Sequence, residues 1–154
     1  MTPAINTLKK AKINYEIHEY NHESSNESYG MEAAKKLGIS PKLVFKTLVV
    51  STENNELIVG IVPVDEKLNM KLIAKAVGAK KAIMANTQDV MRTTGYVLGG
   101  VSPLGQKKSL RTVIDQSAFE YPIIYVSAGR RGLEIALSAQ DLQLLTKATQ
   151  TNIC

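Results

Sequence analysis

Apolar and polar positions follow two different periods along the chain, and the switches between them mark the elements. Val44-Phe45-Lys46-Thr47-Leu48-Val49-Val50 is a run of β-branched and apolar residues with one charge in its middle. Bounded by Ile39-Ser40-Pro41 and the polar Ser51–Asn55, it reads as a buried strand. Side chains alternate across a strand, so Val44, Lys46, Leu48 and Val50 share one face, and Phe45, Thr47 and Val49 the other. Asn54-Asn55 then suits a tight hairpin, with Leu57–Val62 as the return strand closed by Pro63. Alternation at Tyr15–Tyr20 predicts an earlier strand, with Tyr15 and Ile17 on one face and Glu16, His18 and Tyr20 on the other.

Helical spacing appears elsewhere. Ile5, Leu8 and Ala11 follow Thr2-Pro3, which predicts a first helix capped by Thr2 with proline at its first position. A second is expected from Ser28 to Leu37, stopped by Gly38, after a polar and mobile loop at Asn21–Ser28. Asn69 is placed to cap a third helix (Leu72, Ile73, Ala76, Val77 inward) that ends at Gly78, and Thr87 to cap a short fourth before Gly95. Short strands are expected at Ala82–Met84, Tyr96–Leu98, Arg111–Ile114, Ile123–Ser127 and Leu133–Leu137. Ala128-Gly129-Arg130-Arg131-Gly132 is a glycine-flanked basic turn joining the last two. Ser138 with Asp141 resembles a capping box and opens the last helix. Strands outnumber helices and interleave irregularly, which describes a mixed α+β domain and not a repeated βαβ unit. Residues 1–154 are expected to form one domain.

Lys46 is the anomaly in this pattern. Lysine is almost never fully buried unpaired. An ammonium on an apolar strand face snorkels to water, meets a carboxylate, or waits for an anionic ligand. Composition leaves these three open. With 44% hydrophobic and 21% charged residues the chain has the make-up of an ordinary globule. No run approaches the roughly eighteen unbroken apolar residues of a membrane helix, and the N-terminus lacks the apolar core of a signal peptide, so a cytoplasmic location is expected. The single cysteine, Cys154, excludes an internal disulfide, and as the last residue it is expected to be mobile and a poor nucleophile. The formal charge of +5, with lysines in small groups, fits either a polyanionic partner or a solvated surface.

Elimination narrows the chemistry. His18 and His22 lack zinc-motif spacing, and there is no thiolate cluster, so no metal site is expected. There is no Walker motif, no dinucleotide fingerprint and no nucleophile elbow, and no cofactor is expected. An enzyme built from these residues would work by positioning and electrostatics. The loop Gly99-Gly100-Val101-Ser102-Pro103-Leu104-Gly105 is either a tight turn or a place where backbone N–H groups approach a phosphate or a carbonyl oxygen.

Several blocks together resemble the YbaK/EbsC family of aminoacyl-tRNA deacylases, its bacterial YbaK branch in particular. They are Met1–Ala4, Tyr20, Tyr29-Gly30, Lys35–Gly38, Phe45-Lys46-Thr47-Leu48, Ala79–Lys81, Thr94–Tyr96, Gly99–Lys108, Ile124–Ser127 and Arg130–Leu133, spread over nearly the whole chain. The resemblance implies a mixed, mostly antiparallel sheet curled into a partial barrel with flanking helices, as in the editing domain of bacterial prolyl-tRNA synthetases. It implies removal of cysteine from tRNA(Pro), with the substrate's own thiol attacking the ester to give a thiolactone. Alternatives are a non-catalytic tRNA- or synthetase-binding module with the same fold, or a deacylase with another preference such as Ala-tRNA(Pro).

By the same resemblance Lys46 is the essential lysine, meeting a phosphate of the terminal adenosine or the ester, and Tyr20 orients ribose or amino acid. Gly100 and Val101 offer backbone N–H groups to the carbonyl, with Gly99, Ser102 and Pro103 shaping the pocket. Ser127 and Gly129 form its other side, and Tyr29, Thr47 and Glu134 join the substrate-binding set. Glu134 stands where some relatives carry aspartate and others a small polar residue. The implied partners are the CCA end of an aminoacyl-tRNA and, for tRNA choice, a transient complex with prolyl-tRNA synthetase. No membrane partner is expected, and the expected oligomeric state is a monomer.

Overall fold

The computed structural model describes residues 1–23 and 29–154. The Ser28 cap and most of the Asn21–Ser28 loop therefore lie outside the described residues. Helix α1 (Pro3–Ala11) starts where expected, with the Thr2 hydroxyl accepting from Ile5 N–H at 3.2 Å. Its inward face is Ala4, Ile5 and Leu8; Ala11 is exposed. Strand β1 (Glu16–Glu19) follows, then α2 (Tyr29–Leu37), ended by Gly38 at φ 69°. A 3-10 turn at Pro41–Leu43 delivers the chain into β2 (Phe45–Thr52). The hairpin to β3 (Leu57–Pro63) is sealed by Asn55 at φ 61° and by the Thr52 hydroxyl, which accepts from the N–H groups of Asn54 and Glu56.

Helix α3 (Met70–Ala76), capped by Asn69, leads to β4 (Ala82–Met84) and α4 (Thr87–Thr94). The fourth helix is capped by Asn86 and not by Thr87, which is its first helical residue; the Asn86 side chain accepts from Gln88 N–H at 2.8 Å. The remaining elements are β5 (Arg111–Asp115), a 3-10 turn at Gln116–Glu120, β6 (Ile124–Arg130), β7 (Leu133–Leu137), α5 (Ala139–Thr146) and β8 (Thr149–Thr151).

Two sheets form. One has the order β1-β7-β6 and is antiparallel; the other has the order β4-β2-β3-β5-β8, with β3-β5 and β5-β8 parallel. An isolated bridge between Val44 and Tyr125 links them. The expected partial barrel thus takes the form of two sheets joined at a seam, and not of a closed sheet. Phe45, Val49, Val59 and Ile61 join Val126, Leu133, Ile135 and Leu137 in the larger core, over which α1 and α5 pack. The opposite face of β2 and β3, with Val50, Ile58 and Val62, is covered by Leu68, Ile73 and Ala74 around α3. The alternation read at Val44–Val50 therefore separates two cores, one on each face of the strand.

Three features differ from what the sequence led one to expect. Tyr96–Leu98 is not a strand. Tyr96 is buried and donates its hydroxyl to the Leu104 carbonyl at 2.6 Å, while Gly100 N–H closes a turn on Val97 O and leaves Val97 and Leu98 exposed. The segment β8 was not expected, because Thr149-Gln150-Thr151 has no apolar pattern; it gains its place by pairing with β5. Cys154 is not a mobile end: Ile153 beside it is fully buried, and burial pushes the thiol up to about 12.

Candidate active site

The second sheet leaves part of one edge bare. Strand β4 pairs with β2 only at Val50–Thr52, and the bridge to Tyr125 covers only Val44. Between these points the edge of β2 opens onto a cavity of about 380 Å³. An open edge receives side chains from both faces of the strand, which explains why Lys46 and Thr47 both line it. Tyr20 after β1, Tyr29 at the head of α2, Gly99 and Val101 from the glycine loop, Ser127 on β6 and Glu134 on β7 complete the expected set that meets there.

Four expected residues are not among the lining. Gly100 packs its Cα against the Arg130 backbone, and a Cβ there would lie 2.9 Å from Arg130 Cα. Ser102 is fully buried, its hydroxyl accepting from Leu104 N–H at 3.2 Å. Pro103 faces a different, smaller depression with Thr7 and Gln106. Gly129, at φ +111°, lies where a Cβ would meet the Tyr96 ring at 2.7 Å. These residues shape the loops behind the cavity. Gly100 N–H is engaged by Val97 O at 3.0 Å, whereas Val101 N–H has no partner among the described residues.

Two ionisable groups at the cavity, Lys46 and Glu134, have no hydrogen-bond or ion-pair partner among the described residues. Lys46 makes no hydrogen bond and no ion pair among the described residues, and desolvation lowers its pKa against the opposing pull of Asp65. Glu134 is 6% exposed, and burial pushes its carboxyl up to about 8. At neutral pH it is therefore mostly a neutral acid, able to donate a hydrogen bond or to give up a proton slightly above neutrality. Tyr20 is pushed up to about 12, first by burial and then by Glu134, so its hydroxyl stays protonated as a hydrogen-bonding group. Its backbone N–H is tied to Gly132 O at 2.9 Å. The Thr47 hydroxyl is buried with no partner.

Seven lining residues were not in the expected set: Gly30, Val44, Phe45, Leu48, Val64, Leu98 and Arg131. The signal available for Arg131 was the glycine-flanked basic turn, which on its own reads as a connection. A wider depression, about 720 Å³, lies elsewhere, over Asn55, Arg92, Lys107 and Arg111. Its two arginines are already paired with carboxylates, so it does not compete as a reaction centre.

A two-sheet α+β scaffold thus gathers Lys46, Glu134, Tyr20 and Tyr29 around one cavity, with no cysteine or histidine among its lining residues. The chain belongs to the aminoacyl-tRNA editing domain family, whose model matches residues 26–145. It is 37% identical over 146 residues to a protein of Enterococcus faecalis that carries the provisional name Cys-tRNA(Pro)/Cys-tRNA(Cys) deacylase EbsC, covering 94% of this chain and 88% of that one. It is 30% identical over 100 residues to the proline–tRNA ligase of Thermodesulfovibrio yellowstonii, covering 65% of this chain but 17% of the ligase. The crystal structure of a protein provisionally described as a trans-editing enzyme for prolyl-tRNA synthetase superposes with a TM-score of 0.86 at 21% identity, covering 98% of this chain and 94% of the other. That likeness establishes the fold. No described helix is long and apolar enough to cross a membrane.

Proposed function

We propose that the protein is a trans-acting aminoacyl-tRNA deacylase that removes cysteine from tRNA(Pro) by substrate-thiol-assisted cleavage. The observation that carries this reading is a cavity that holds Lys46 and Glu134 without partners among the described residues, beside the Tyr20 hydroxyl, and with no cysteine or histidine among its lining residues. Such a site supplies charge and proton exchange but no strong nucleophile, and a substrate that brings its own thiol has no need of one.

In this mechanism the cysteinyl Sγ attacks the ester carbonyl carbon. A C–S bond forms, the C–O bond to the ribose breaks, and the products are a cyclic thiolactone and a tRNA with its terminal hydroxyl restored. The proton leaving the thiol balances the proton taken up by the ribose oxygen. Glu134 is the group for that transfer, because a carboxyl near 8 has a proton affinity close to that of an ordinary thiol. Lys46 stabilises the negative charge that develops on the oxygens, with Val101 N–H as a second donor. Tyr20 and Thr47 hydroxyls hold the ribose and the amino acid. Serine and alanine carry no thiol, so selection is partly chemical.

The test is release of cysteine from Cys-tRNA(Pro), measured beside Ala-tRNA(Pro), Pro-tRNA(Pro) and Cys-tRNA(Cys). Lys46→Ala should lower kcat/KM roughly a hundred- to a thousand-fold, as removal of an electrostatic stabiliser does. A substrate with its thiol methylated should resist cleavage. Rapid turnover of that substrate would eliminate the thiol mechanism, and equal binding of tRNA with no deacylation would leave a binding module.

A further inference from the structure

We propose that Arg131 is a preset clamp for a phosphodiester at the mouth of this cavity, the one joining the terminal nucleotide to its neighbour. The proposal takes its ligand from the deacylase reading above. Its basis is a contrast among arginines. Arg92 is paired with Asp89, and Arg111 makes two hydrogen bonds to the Glu56 carboxylate. Arg130 and Arg131 have no carboxylate partner among the described residues, but only Arg131 lines the cavity. The Arg131 Nε and Nη2 instead both donate to the Leu98 carbonyl, at 3.0 and 2.7 Å, and its Cζ lies 4.2 Å from the centre of the Tyr29 ring.

A guanidinium has five N–H donors in a fixed fork. Two are spent on Leu98 O, and the remaining three stay available on a side chain already held in one place. That arrangement lowers the ordering cost of capturing an anion. The surroundings enforce it. Gly99 sits at φ +82°, and a Cβ there would lie 2.5 Å from the Tyr29 ring and 2.7 Å from Arg131 Nε, so only glycine lets ring, guanidinium and loop meet. Tyr29 is in turn backed by His22, whose ring centre is 5.4 Å away and whose Nδ1 is 2.6 Å from the buried Glu32 carboxylate.

The chemistry of the ligand follows by subtraction. An aminoacyl ester has an ammonium and no carboxylate, so the anions it can offer are its phosphodiesters. Arg131 is exposed whereas Glu134 is buried, which sets the phosphate at the rim and the ester beyond it. Phosphate capture by Arg131 leaves Lys46 to the ester.

The experiment measures binding of a fluorescent, uncharged RNA oligonucleotide ending in CCA, together with a copy whose last phosphodiester is a neutral methylphosphonate. Wild type should bind the natural RNA about tenfold more tightly than the methylphosphonate copy, and Arg131→Gln should bind both equally weakly. The salt slope of log K should fall by roughly one charge in Arg131→Gln. Arg131→Lys should restore the slope but only part of the affinity, because it lacks the fork. Gly99→Ala, which keeps every charge, should also weaken binding, while Arg92→Gln should leave it unchanged. Equal affinity of wild type for the two RNAs, or an Arg131→Gln effect no larger than that of Arg92→Gln, overturns the clamp. Because the RNA is uncharged with amino acid, these outcomes are separate from deacylation, whose failure with the clamp intact would overturn the mechanism alone.

Discussion

Two buried carboxylates, Asp115 at the end of β5 and Glu134 on β7, show how differently one protein can treat the same chemistry. Asp115 is 2% exposed and Glu134 6%. Asp115 accepts from Ile153 N–H at 2.9 Å, from Ser117 N–H at 3.1 Å and from the Ser117 hydroxyl. Burial pushes against its ionisation, but these bonds, with one to Cys154, outweigh burial and hold it below the ordinary aspartate range. Glu134 has no hydrogen-bonded partner for its side chain among the described residues, and burial alone pushes it up to about 8. The first is a structural knot that ties the chain's last residues to the second sheet. The second is a group left unsatisfied beside a cavity, the condition in which a buried polar group marks a place for an outside molecule.

The sharpest way to break this contrast is to neutralise each carboxylate without changing its shape. Glu134→Gln should cost about a hundredfold or more in kcat on Cys-tRNA(Pro), the size of a lost proton-transfer group, with little change in KM. Unchanged kcat would remove Glu134 from the reaction and leave its burial without a use. Asp115→Asn should do the reverse, leaving kcat of the folded protein unchanged while lowering stability by about 2–3 kcal/mol, since hydrogen bonds to a charged acceptor lose that much together. Denaturant unfolding reads the loss, and an Asp115→Asn protein as stable as wild type would show that the knot is decorative.

The same contrast explains what the sequence could reveal. The strand around Lys46, the Thr2 cap and the hairpin at Asn55 were legible because period, cap chemistry and turn chemistry are local. The oddness of Lys46 was legible too, as an unpaired charge in an apolar run. Tyr96–Leu98 misled because three apolar residues resemble a strand until Tyr96 finds the Leu104 carbonyl and Gly100 closes a turn on Val97. Arg131 was hidden for a related reason. Its two partners are a backbone carbonyl and a ring on other elements, and the absence of a carboxylate around it is a property of three dimensions. Glu134 entered only through family resemblance. Nothing in Leu133-Glu134-Ile135-Ala136-Leu137 says whether its glutamate faces water or a dry cavity, because alternation alone leaves the polar face of a strand free to point either way.

The test that probes both carboxylates at once is the pH dependence of stability. Glu134 is raised in the folded protein, from an ordinary 4.5 to about 8. Between these values the unfolded chain has released a proton that the folded chain still holds, so folding loses ground as pH rises through this window and levels off above it. The total is on the order of a few kcal/mol, at about 1.4 kcal/mol for each pKa unit. Asp115 is lowered in the folded protein, so its contribution is fully present above the ordinary aspartate value and disappears as pH falls through its folded value. Calorimetric melting across pH 4 to 9 should therefore show Glu134→Gln gaining on wild type as pH rises from about 4.5 to about 8, by several degrees in Tm. Asp115→Asn should instead trail wild type at neutral pH and converge with it in acid. Tyr20, which is raised partly by Glu134, stays protonated throughout this window. A Glu134→Gln curve that runs parallel to wild type would mean that water or a counterion satisfies this carboxylate, and the distinction between the two buried acids would collapse.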